Sequence, residues 1–394
     1  MPKCNRREAL SAAAASWLIV KPGIAFGSQA NSAVSFGIIG TGGRGQRVGG
    51  YMSQNDDTRL TAICDIYPDV IEEAQAKIPG VGGAAVHKDY RDLLARSDID
   101  AVLISTPAFL HPEHFEAAVR AGKHIYCEKP AAVNVAGAKQ IMRAGEQADP
   151  GKTIQFGFQQ RFSPEYLAAE KILRDGKVGE VKVMASYWVV GGPPRRGGEF
   201  KSPYPKEEQK IRHWYSWTDL SGGPIVEQDC HGIDTMNWFA DARPLRALGS
   251  GFNRWEPTYG DRTSDHHNII YTYPDRVQGW MLSIKGAPGL QTVHEDFYGS
   301  LGALVTSRNF YEWRGTPKRD ESNVPRAQRG LIERAESGHD VTIDATDAFI
   351  ASIVDGKPYN MTAVAAESTM TAILGRMAYE FEREVTWDEM FRSA

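Results

Sequence analysis

Short apolar runs recur along the first part of the chain, and stretches with the spacing of amphipathic helices separate them. The runs cover residues 35–39, 60–64, 101–105, 124–127 and 154–157. A helical stretch extends from His111 to Ala121 and stops at Gly122, a residue that commonly ends helices. Strands that alternate with helices predict a parallel sheet, which binds ligands at the carboxyl ends of its strands.

The pattern changes after Arg161. Residues 181–188 and 267–273 form longer runs with β-like composition, and no regular helices separate such runs. This pattern is typical of a mostly antiparallel sheet. A chain of 394 residues is long enough for two domains. We therefore predict an α/β protein whose two domains meet near Gly157.

A glycine-rich turn follows the first apolar run. Gly40, Gly42 and Gly45 have the spacing G-x-G-x-x-G, between a strand and a stretch compatible with a helix. Gly40 allows the tight turn, Gly42 lets a pyrophosphate approach the backbone, and Gly45 lets helix and strand pack closely. The helix N-terminus adds unpaired N–H groups that attract the anion. Residues 31–157 are therefore predicted to form a Rossmann dinucleotide-binding domain, and residues 158–394 the second domain.

Asp65 follows the second apolar run, 25 residues after Gly40. An acid near this spacing binds the ribose 2′-OH of NAD and repels the 2′-phosphate of NADP. Arg44 could still meet a 2′-phosphate, so NAD is favoured and NADP is the alternative. Asp65 could instead serve only as a helix cap or turn residue.

Several sequence motifs together resemble the Gfo/Idh/MocA family of oxidoreductases, which contains glucose–fructose oxidoreductase, inositol 2-dehydrogenase and many sugar dehydrogenases. The first motifs lie at or near the predicted carboxyl ends of strands, and the later ones introduce the second domain and its centre. They are Gly40-x-Gly42-x-x-Gly45, Ser105-Thr106-Pro107, Ala121-Gly122-Lys123-His124, Glu128-Lys129-Pro130, Gly157-Phe158-Gln159-Gln160-Arg161-Phe162 and the segment from Gly222 to Asp234.

The resemblance implies an open, mainly antiparallel sheet in the second domain, homo-oligomer contacts and a catalytic centre. It implies that Lys129, His231 and a carboxylate surround the reacting carbinol. Glu227 stands where the family commonly has Asp, and it is four residues before His231, so the two would share one face of a helix. We expect His231 to take the proton, Glu227 to orient it and Lys129 to polarise the oxygen. The roles of Lys129 and His231 could be exchanged.

The remaining site predictions concern cofactor and substrate contacts. Trp214 and Tyr215 lie in a segment from Gly191 to Asp219 that is rich in Pro, Gly, Arg and aromatic residues. They could form a sugar-binding wall or serve only in packing. We expect substrate contacts from Arg161, Trp214, Tyr215 and Asp234. We expect the cofactor to contact Gly40, Gly42, Gly43, Arg44, Gly45, Asp65, Thr106, Pro107, His111, Glu128, Lys129 and Gln159.

The first 30 residues have the pattern of an export signal. Arg6 and Arg7 precede an apolar run, Ala9 to Val20, that is too short to span a bilayer. The arginine pair, the Ala- and Ser-rich run and Lys21 resemble a twin-arginine signal, and Ser28-Gln29-Ala30 would suit cleavage. An amphipathic helix that stays on the protein is the alternative. Export of a folded protein to the periplasm predicts a tightly held NAD, since free NAD is scarce there.

Charge and spacing exclude some partners and favour others. The formal charge is −4, and residues 1–30 contribute +3 of it, so the exported body is acidic and poorly suited to nucleic acid. No other stretch approaches transmembrane length, so no membrane association is expected after export. We predict a small sugar or polyol as substrate. Metal is not expected, because no Cys/His pair has ligand spacing, although a zinc site is conceivable at His213, Glu227, Asp229 and His231.

Two other classes of function remain open. Some family relatives are NAD-dependent glycoside hydrolases that act by transient C3 oxidation and elimination. The turn Gly42-Gly43-Arg44 is shared with them, but Glu128-Lys129-Pro130 stands where those relatives carry Glu-Val-Pro, which favours the oxidoreductase. A non-catalytic sugar-binding protein would not need Lys129, Glu227 and His231 together.

Overall fold

The computed structural model describes residues 33–191, 202–253, 260–261, 264–286, 289, 291–317, 321, 323–325 and 328–394. The predicted export signal at residues 1–30 lies outside these residues. Within them, no helix combines the length and apolar character that crossing a membrane requires.

The first sheet of the described chain has six parallel strands in the order β3-β2-β1-β4-β5-β6. Its strands are β1 Val34–Ile39, β2 Thr58–Cys64, β3 Ala85–His87, β4 Ala101–Ile104, β5 His124–Cys127 and β6 Ile154–Phe156. The helices between them are α1 Gly43–Ser53, α2 Pro68–Lys77, α3 Tyr90–Leu94, α4 His111–Arg120 and α5 Val135–Glu146. The predicted alternation of strands and helices is confirmed.

The inner strands of this sheet are mainly apolar because both of its faces are covered. Every residue of β4 is buried. Val102 and Ile104 belong to one hydrophobic core, whereas Ala101 and Leu103 belong to another, as expected for side chains that alternate between faces. The strands therefore end together at one edge, where the glycine-rich turn lies.

The second sheet contains nine strands of the described chain, in the order β14-β13-β12-β11-β7-β10-β9-β8-β15. Only the pair β7 and β10 is parallel among these neighbours. The prediction of an open, mainly antiparallel sheet is confirmed. The strands are β7 Val181–Val190, β8 Arg246–Phe252, β9 His266–Thr272, β10 Gln278–Lys285, β11 Thr292–Gly299, β12 Gly302–Ser307, β13 Phe310–Gly315, β14 Leu331–Glu336 and β15 Val385–Thr386.

Helices cover one face of the second sheet. A Cβ at Gly232 would lie 2.0 Å from Ser186 Oγ of β7, so glycine lets the helix Cys230–Ala240 pack directly on that strand. This close contact places β7 next to the helix that contains His231. The helices of this part are α6 Pro164–Arg174, α7 Gln209–Arg212, α8 Thr218–Ser221, α9 Cys230–Ala240, α10 Val341–Val354, α11 Thr362–Glu380 and α12 Trp387–Arg392.

Candidate functional site

The glycine-rich turn forms a cradle at the N-terminus of α1. Gly40 has a φ of 88°, and a Cβ there would lie 2.7 Å from Thr106 N. A Cβ at Gly45 would lie 2.1 Å from the oxygen of Gly40. A Cβ at Gly42 or Gly43 would meet nothing within 4 Å, so open space faces the helix N-terminus there. The backbone at this point fits the pyrophosphate of a dinucleotide.

A cavity of about 760 Å³ opens beside this cradle. Its size lies within the usual range for small-molecule sites. The predicted cofactor residues that line it are Gly40, Gly42, Gly43, Arg44, Asp65, Thr106 and Pro107. The other predicted cofactor residues, Gly45, His111, Glu128, Lys129 and Gln159, are outside its lining.

Asp65 lines this cavity and also holds the turn together. One carboxylate oxygen accepts the backbone N–H of Thr41 at 2.9 Å, and the other accepts that of Tyr67 at 3.1 Å. The N-cap of α2 is Tyr67, so Asp65 is not the cap residue. A fixed carboxylate at the cavity can accept a hydrogen bond from a ribose hydroxyl, and its negative charge repels a phosphate.

Arg44 lines the cofactor cavity and pairs with Glu128, which follows the fifth strand. Its Nε lies 2.9 Å from Glu128 Oε1, and the Glu128 side chain is only 4% exposed. Burial alone would lower the pKa of Arg44, but the Glu128 carboxylate outweighs it and the pKa is raised. The pairing with Glu128 therefore argues against NADP.

His111 connects two loops of the first domain. Its ring nitrogens lie 2.7 Å from the Pro130 oxygen and 2.9 Å from the Thr106 oxygen. The ring is buried, and burial lowers its pKa. His111 therefore holds the Thr106 and Pro130 loops together, and its predicted contact with the cofactor stays a prediction.

Lys129 and Glu227 form an ion pair between the two domains. Lys129 Nζ lies 2.9 Å from Glu227 Oε1 and also donates to the Glu227 backbone oxygen. The two side chains are 12% and 13% exposed. Burial would lower the pKa of Lys129, but the adjacent carboxylate reverses this and the pKa is raised. Lys129 is therefore a fixed cation.

The predicted pairing of Glu227 with His231 is wrong. Residues Ile225–Asp229 form a π-helical turn before α9, so the regular four-residue spacing does not hold. Glu227 turns to Lys129 instead. His231 is oriented by aromatic rings: it stacks on Trp188 at 5.8 Å and meets Phe158 edge-on at 6.1 Å.

His231 is buried and neutral. Burial lowers its pKa well below the ordinary value, and the nearby cations Lys129, Arg308 and Arg44 lower it further. Its Nδ1 has no hydrogen-bond partner within the described part of the chain. A neutral imidazole has a ring nitrogen that can accept a proton, although burial and the nearby cations disfavour the protonated form.

Asp229, for which the sequence offered only a conceivable role as a zinc ligand, is the centre of a buried charge cluster. Its oxygens lie 2.6 Å from Lys285 Nζ and 2.8 Å from His267 Nε2. Lys285 Nζ also lies 5.3 Å from the centre of the Trp188 ring. These distant strand residues support the ring on which His231 stacks. Sequence spacing contained no signal for them, because β9 and β10 contribute the partners.

The conceivable zinc site is not assembled. Glu227 binds Lys129 and Asp229 binds Lys285 and His267, so the two carboxylates serve separate ion pairs. Within the described ranges, no group of three or more His, Cys, Asp or Glu side chains is placed to hold a metal ion.

Arg161 and Asp234 form an ion pair. The guanidinium donates two hydrogen bonds to the carboxylate, at 2.8 and 2.9 Å, and Ser368 Oγ donates a third at 2.6 Å. Asp234 is 1% exposed, whereas Arg161 lines a second cavity of about 250 Å³. Both carboxylate oxygens are occupied within the protein, and the predicted contact of these two residues with a substrate stays a prediction.

A segment of the second domain covers the cofactor cavity. Tyr204, Ile211, Arg212 and Trp214 line it. Arg212 donates to both oxygens of Asp69, at 2.7 and 2.8 Å, and its guanidinium lies 3.8 Å from the Tyr67 ring centre. We call residues 202–217 the clasp.

The clasp contains Trp214 and Tyr215, two residues predicted to contact the substrate. Trp214 lines the cofactor cavity, and the ring of Tyr215 contacts it edge-on at 6.1 Å while remaining outside the cavity lining. The aromatic composition of this segment was the signal that could have located the clasp.

Comparisons with known protein families agree with this architecture. Residues 34–157 match the Gfo/Idh/MocA oxidoreductase family with an NAD-binding Rossmann fold, and residues 166–305 match the GFO/IDH/MocA C-terminal domain. These matches confirm the predicted NAD-binding domain.

Two curated relatives are similar to this chain over different shares of their length. Inositol 2-dehydrogenase of Rhizobium meliloti (strain 1021) is 34% identical over 151 residues, which cover 38% of this chain and less than half, 44%, of the relative. Myo-inositol 2-dehydrogenase of Thermotoga maritima is 30% identical over 364 residues, which cover 90% of this chain and 98% of the relative.

Solved structures share the fold. A levoglucosan dehydrogenase in complex with NADH and levoglucosan has a TM-score of 0.73 at 18% identity, over 90% of this chain and 99% of that one. Scyllo-inositol dehydrogenase from Lactobacillus casei, with bound NAD(H) and scyllo-inositol, has a TM-score of 0.67 at 20% identity, with the same coverage.

Proposed function

Because the chain belongs to the Gfo/Idh/MocA family of oxidoreductases, we propose that it is an NAD-dependent dehydrogenase acting on a CH–OH group of a sugar or polyol. The observation that carries this proposal is the Lys129–Glu227 ion pair beside the neutral His231. The names of the inositol and levoglucosan dehydrogenases support the substrate class.

Lys129 and His231 have different roles in the transfer of the hydroxyl proton. Lys129 already holds its proton, since Glu227 raises its pKa, so it stabilises negative charge on the substrate oxygen and does not accept a proton. His231 is neutral and accepts the hydroxyl proton. Bound NAD supplies the acceptor for the hydrogen and electron pair of the oxidised C–H bond.

The test is a panel of sugars, polyols and aryl glycosides added to the purified protein. We expect the absorbance of reduced nicotinamide to appear with a sugar or polyol, and no aglycone to be released from the glycosides. Aglycone release without net reduction would replace the dehydrogenase by the glycoside hydrolase. Neither signal with any compound would reject both.

We further propose that the clasp retains NAD through turnover. Arg212 joins the clasp to Asp69 of the first domain across the cofactor cavity, so this contact would slow the departure of the nucleotide. Arg212→Ala should speed NAD dissociation about 10- to 100-fold, because it removes a bidentate charge-assisted contact. The measurement is nucleotide absorbance that remains after desalting, followed over time.

The matched control for the clasp is Arg383→Ala. Arg383 also forms an ion pair with a carboxylate, Glu389, but on the exposed surface. It should retain NAD like the wild-type protein. Complete loss of NAD from the wild-type protein during one desalting step would contradict retention by the clasp.

We propose that residues 1–30 direct export by the twin-arginine route to the periplasm. The arginine pair at residues 6 and 7, the short apolar run and the Ser28-Gln29-Ala30 site support this. Replacing both arginines by lysine should leave the protein in the cytoplasmic fraction. An unchanged periplasmic fraction would contradict the proposal.

We propose a homo-oligomer formed through the outer face of the second sheet. Leu248, Ile270 and Trp280 are adjacent across β8, β9 and β10, and they are 48%, 45% and 45% exposed. Such a contiguous apolar row is unusual on a free surface. Light scattering should show a dimer or larger assembly that Trp280→Glu weakens, and a monomeric wild-type protein would refute this.

A further inference from the structure

Arg308 lies in the two-residue turn that joins β12 to β13, where Ser307 pairs with Phe310. Trp188 of β7 pairs with Val293 of β11, and Glu295 of β11 pairs with Thr306 of β12. The side chain of Arg308 reaches from this turn to the face of the sheet that carries Trp188. This is the face on which α9 and His231 pack.

The guanidinium of Arg308 lies beside Trp188, the ring on which His231 stacks. It is 5.2 Å from the centre of the Trp188 ring, and that ring stacks on His231 with a 10° angle between planes. The Arg308 residue is solvent-exposed, and its positive charge is among those that lower the pKa of His231.

Arg308 differs from the other cations around the site. Lys129, Arg44 and Lys285 each have a carboxylate within 3 Å. Arg308 has no carboxylate in ion-pair distance among the residues that the structure describes. Within the described residues, Arg308 is therefore a cation that lacks an ion-pair partner near the ring on which His231 stacks.

Glu295 is a buried carboxyl that attracts Arg308 electrostatically without forming an ion pair with it in the described structure. Glu295 accepts the hydroxyls of Tyr166 at 2.8 Å and Thr306 at 3.0 Å. Burial raises the pKa of Glu295 to about 7, so it is only partly ionised at neutral pH. A negatively charged group on a ligand would neutralise the Arg308 guanidinium.

We propose that Arg308 binds the carboxylate of an acidic sugar, so that the substrate is a uronic or aldonic acid. This inference rests on the proposed dehydrogenase function and names its substrate class. A planar guanidinium matches a carboxylate with two parallel hydrogen bonds. One unpaired charge suits a monoanion, whereas a phosphate group would leave about one further negative charge unpaired.

The test compares matched acid and neutral ligands on the NAD-loaded protein. The pairs are glucuronate with glucose, galacturonate with galactose and gluconate with sorbitol, and glucose 6-phosphate is a separate arm. Calorimetry gives Kd, and nicotinamide absorbance gives kcat and KM. At least one acid should bind and react about 10- to 100-fold better than its neutral partner, as judged by Kd and kcat/KM.

The variants Arg308→Gln and Arg308→Lys locate the effect. Arg308→Gln should abolish the preference by raising KM and Kd more for the acid than for its neutral partner, so that the ratio of their kcat/KM values falls to about one. Arg308→Lys should retain part of it. Equal loss for acid and neutral ligands would indicate a merely structural role and overturn the inference.

The outcomes separate this inference from the proposed function. Reduction of NAD by neutral sugars without any preference for acids rejects the role of Arg308 and keeps the dehydrogenase. A preference confined to glucose 6-phosphate also rejects the carboxylate. Absence of both binding and reduction with every ligand rejects the inference together with the proposed function.

Discussion

Replacement of Lys129 by methionine will lower kcat about 1,000-fold while NAD remains bound, because electrostatic and proton-transfer effects of this kind contribute about 10²- to 10⁴-fold. The reason is that the Lys129 cation, held by Glu227, stabilises the substrate oxygen. Lys129 is outside the lining of the cofactor cavity, so NAD binding should be unchanged. The measurements are single-turnover reduction of bound nicotinamide and the ratio of NAD to protein.

A second variant guards against misfolding. Lys129→Met alone leaves the Glu227 carboxylate largely buried without its partner, which is costly. Lys129→Met combined with Glu227→Gln removes both charges and should fold, bind NAD and remain inactive. The control Lys182→Met changes an exposed lysine of β7 and should keep full turnover. Turnover of the double variant near the wild-type rate would remove Lys129 from the mechanism.

Asp229→Asn is expected to lower the free energy of unfolding by about 3–5 kcal/mol, the usual effect of removing one partner of a buried ion pair. Asp229 is fully buried and contacts both Lys285 and His267. The variant leaves the Lys285 ammonium without its carboxylate, 9% exposed in the protein interior. Denaturant unfolding at neutral pH measures the loss.

Removing both charges should restore much of this stability. Asp229→Asn with Lys285→Met leaves no buried charge in the pair, and such replacements are often neutral or stabilising. The control Asp175→Asn breaks an exposed pair with Lys171 and should change stability by less than about 1 kcal/mol. A loss for Asp229→Asn as small as that of the control would show that the buried pair does not stabilise the fold.

The effect of Asp229 should also depend on pH. Burial alone would raise its pKa, but Lys285 and His267 lower it below the ordinary value of 3.8. A group whose pKa is lower in the folded protein stabilises it above the unfolded pKa and loses this effect as the pH falls. The difference between wild type and Asp229→Asn should therefore shrink below about pH 4.

The sequence by itself determined the elements and the chemistry of the first domain. Apolar runs and helical spacing located the parallel strands, because burial on both faces requires continuous apolar residues. Gly40, Gly42 and Gly45 marked the cofactor turn, because backbone conformation and close approach demand glycine there. Asp65 and Lys129 were found because they follow strands, and strand ends meet at one edge of the sheet.

The tertiary structure alone decided which side chains meet. Glu227 binds Lys129 rather than His231, because a π-helical turn breaks the local spacing. Arg161 and Asp234 satisfy each other, and strands β9 and β10 bring His267 and Lys285 to Asp229. Local periodicity predicts the face on which a residue lies. It does not predict the partner, because buried charges are paired by whatever distant residues the packing places within about 3 Å.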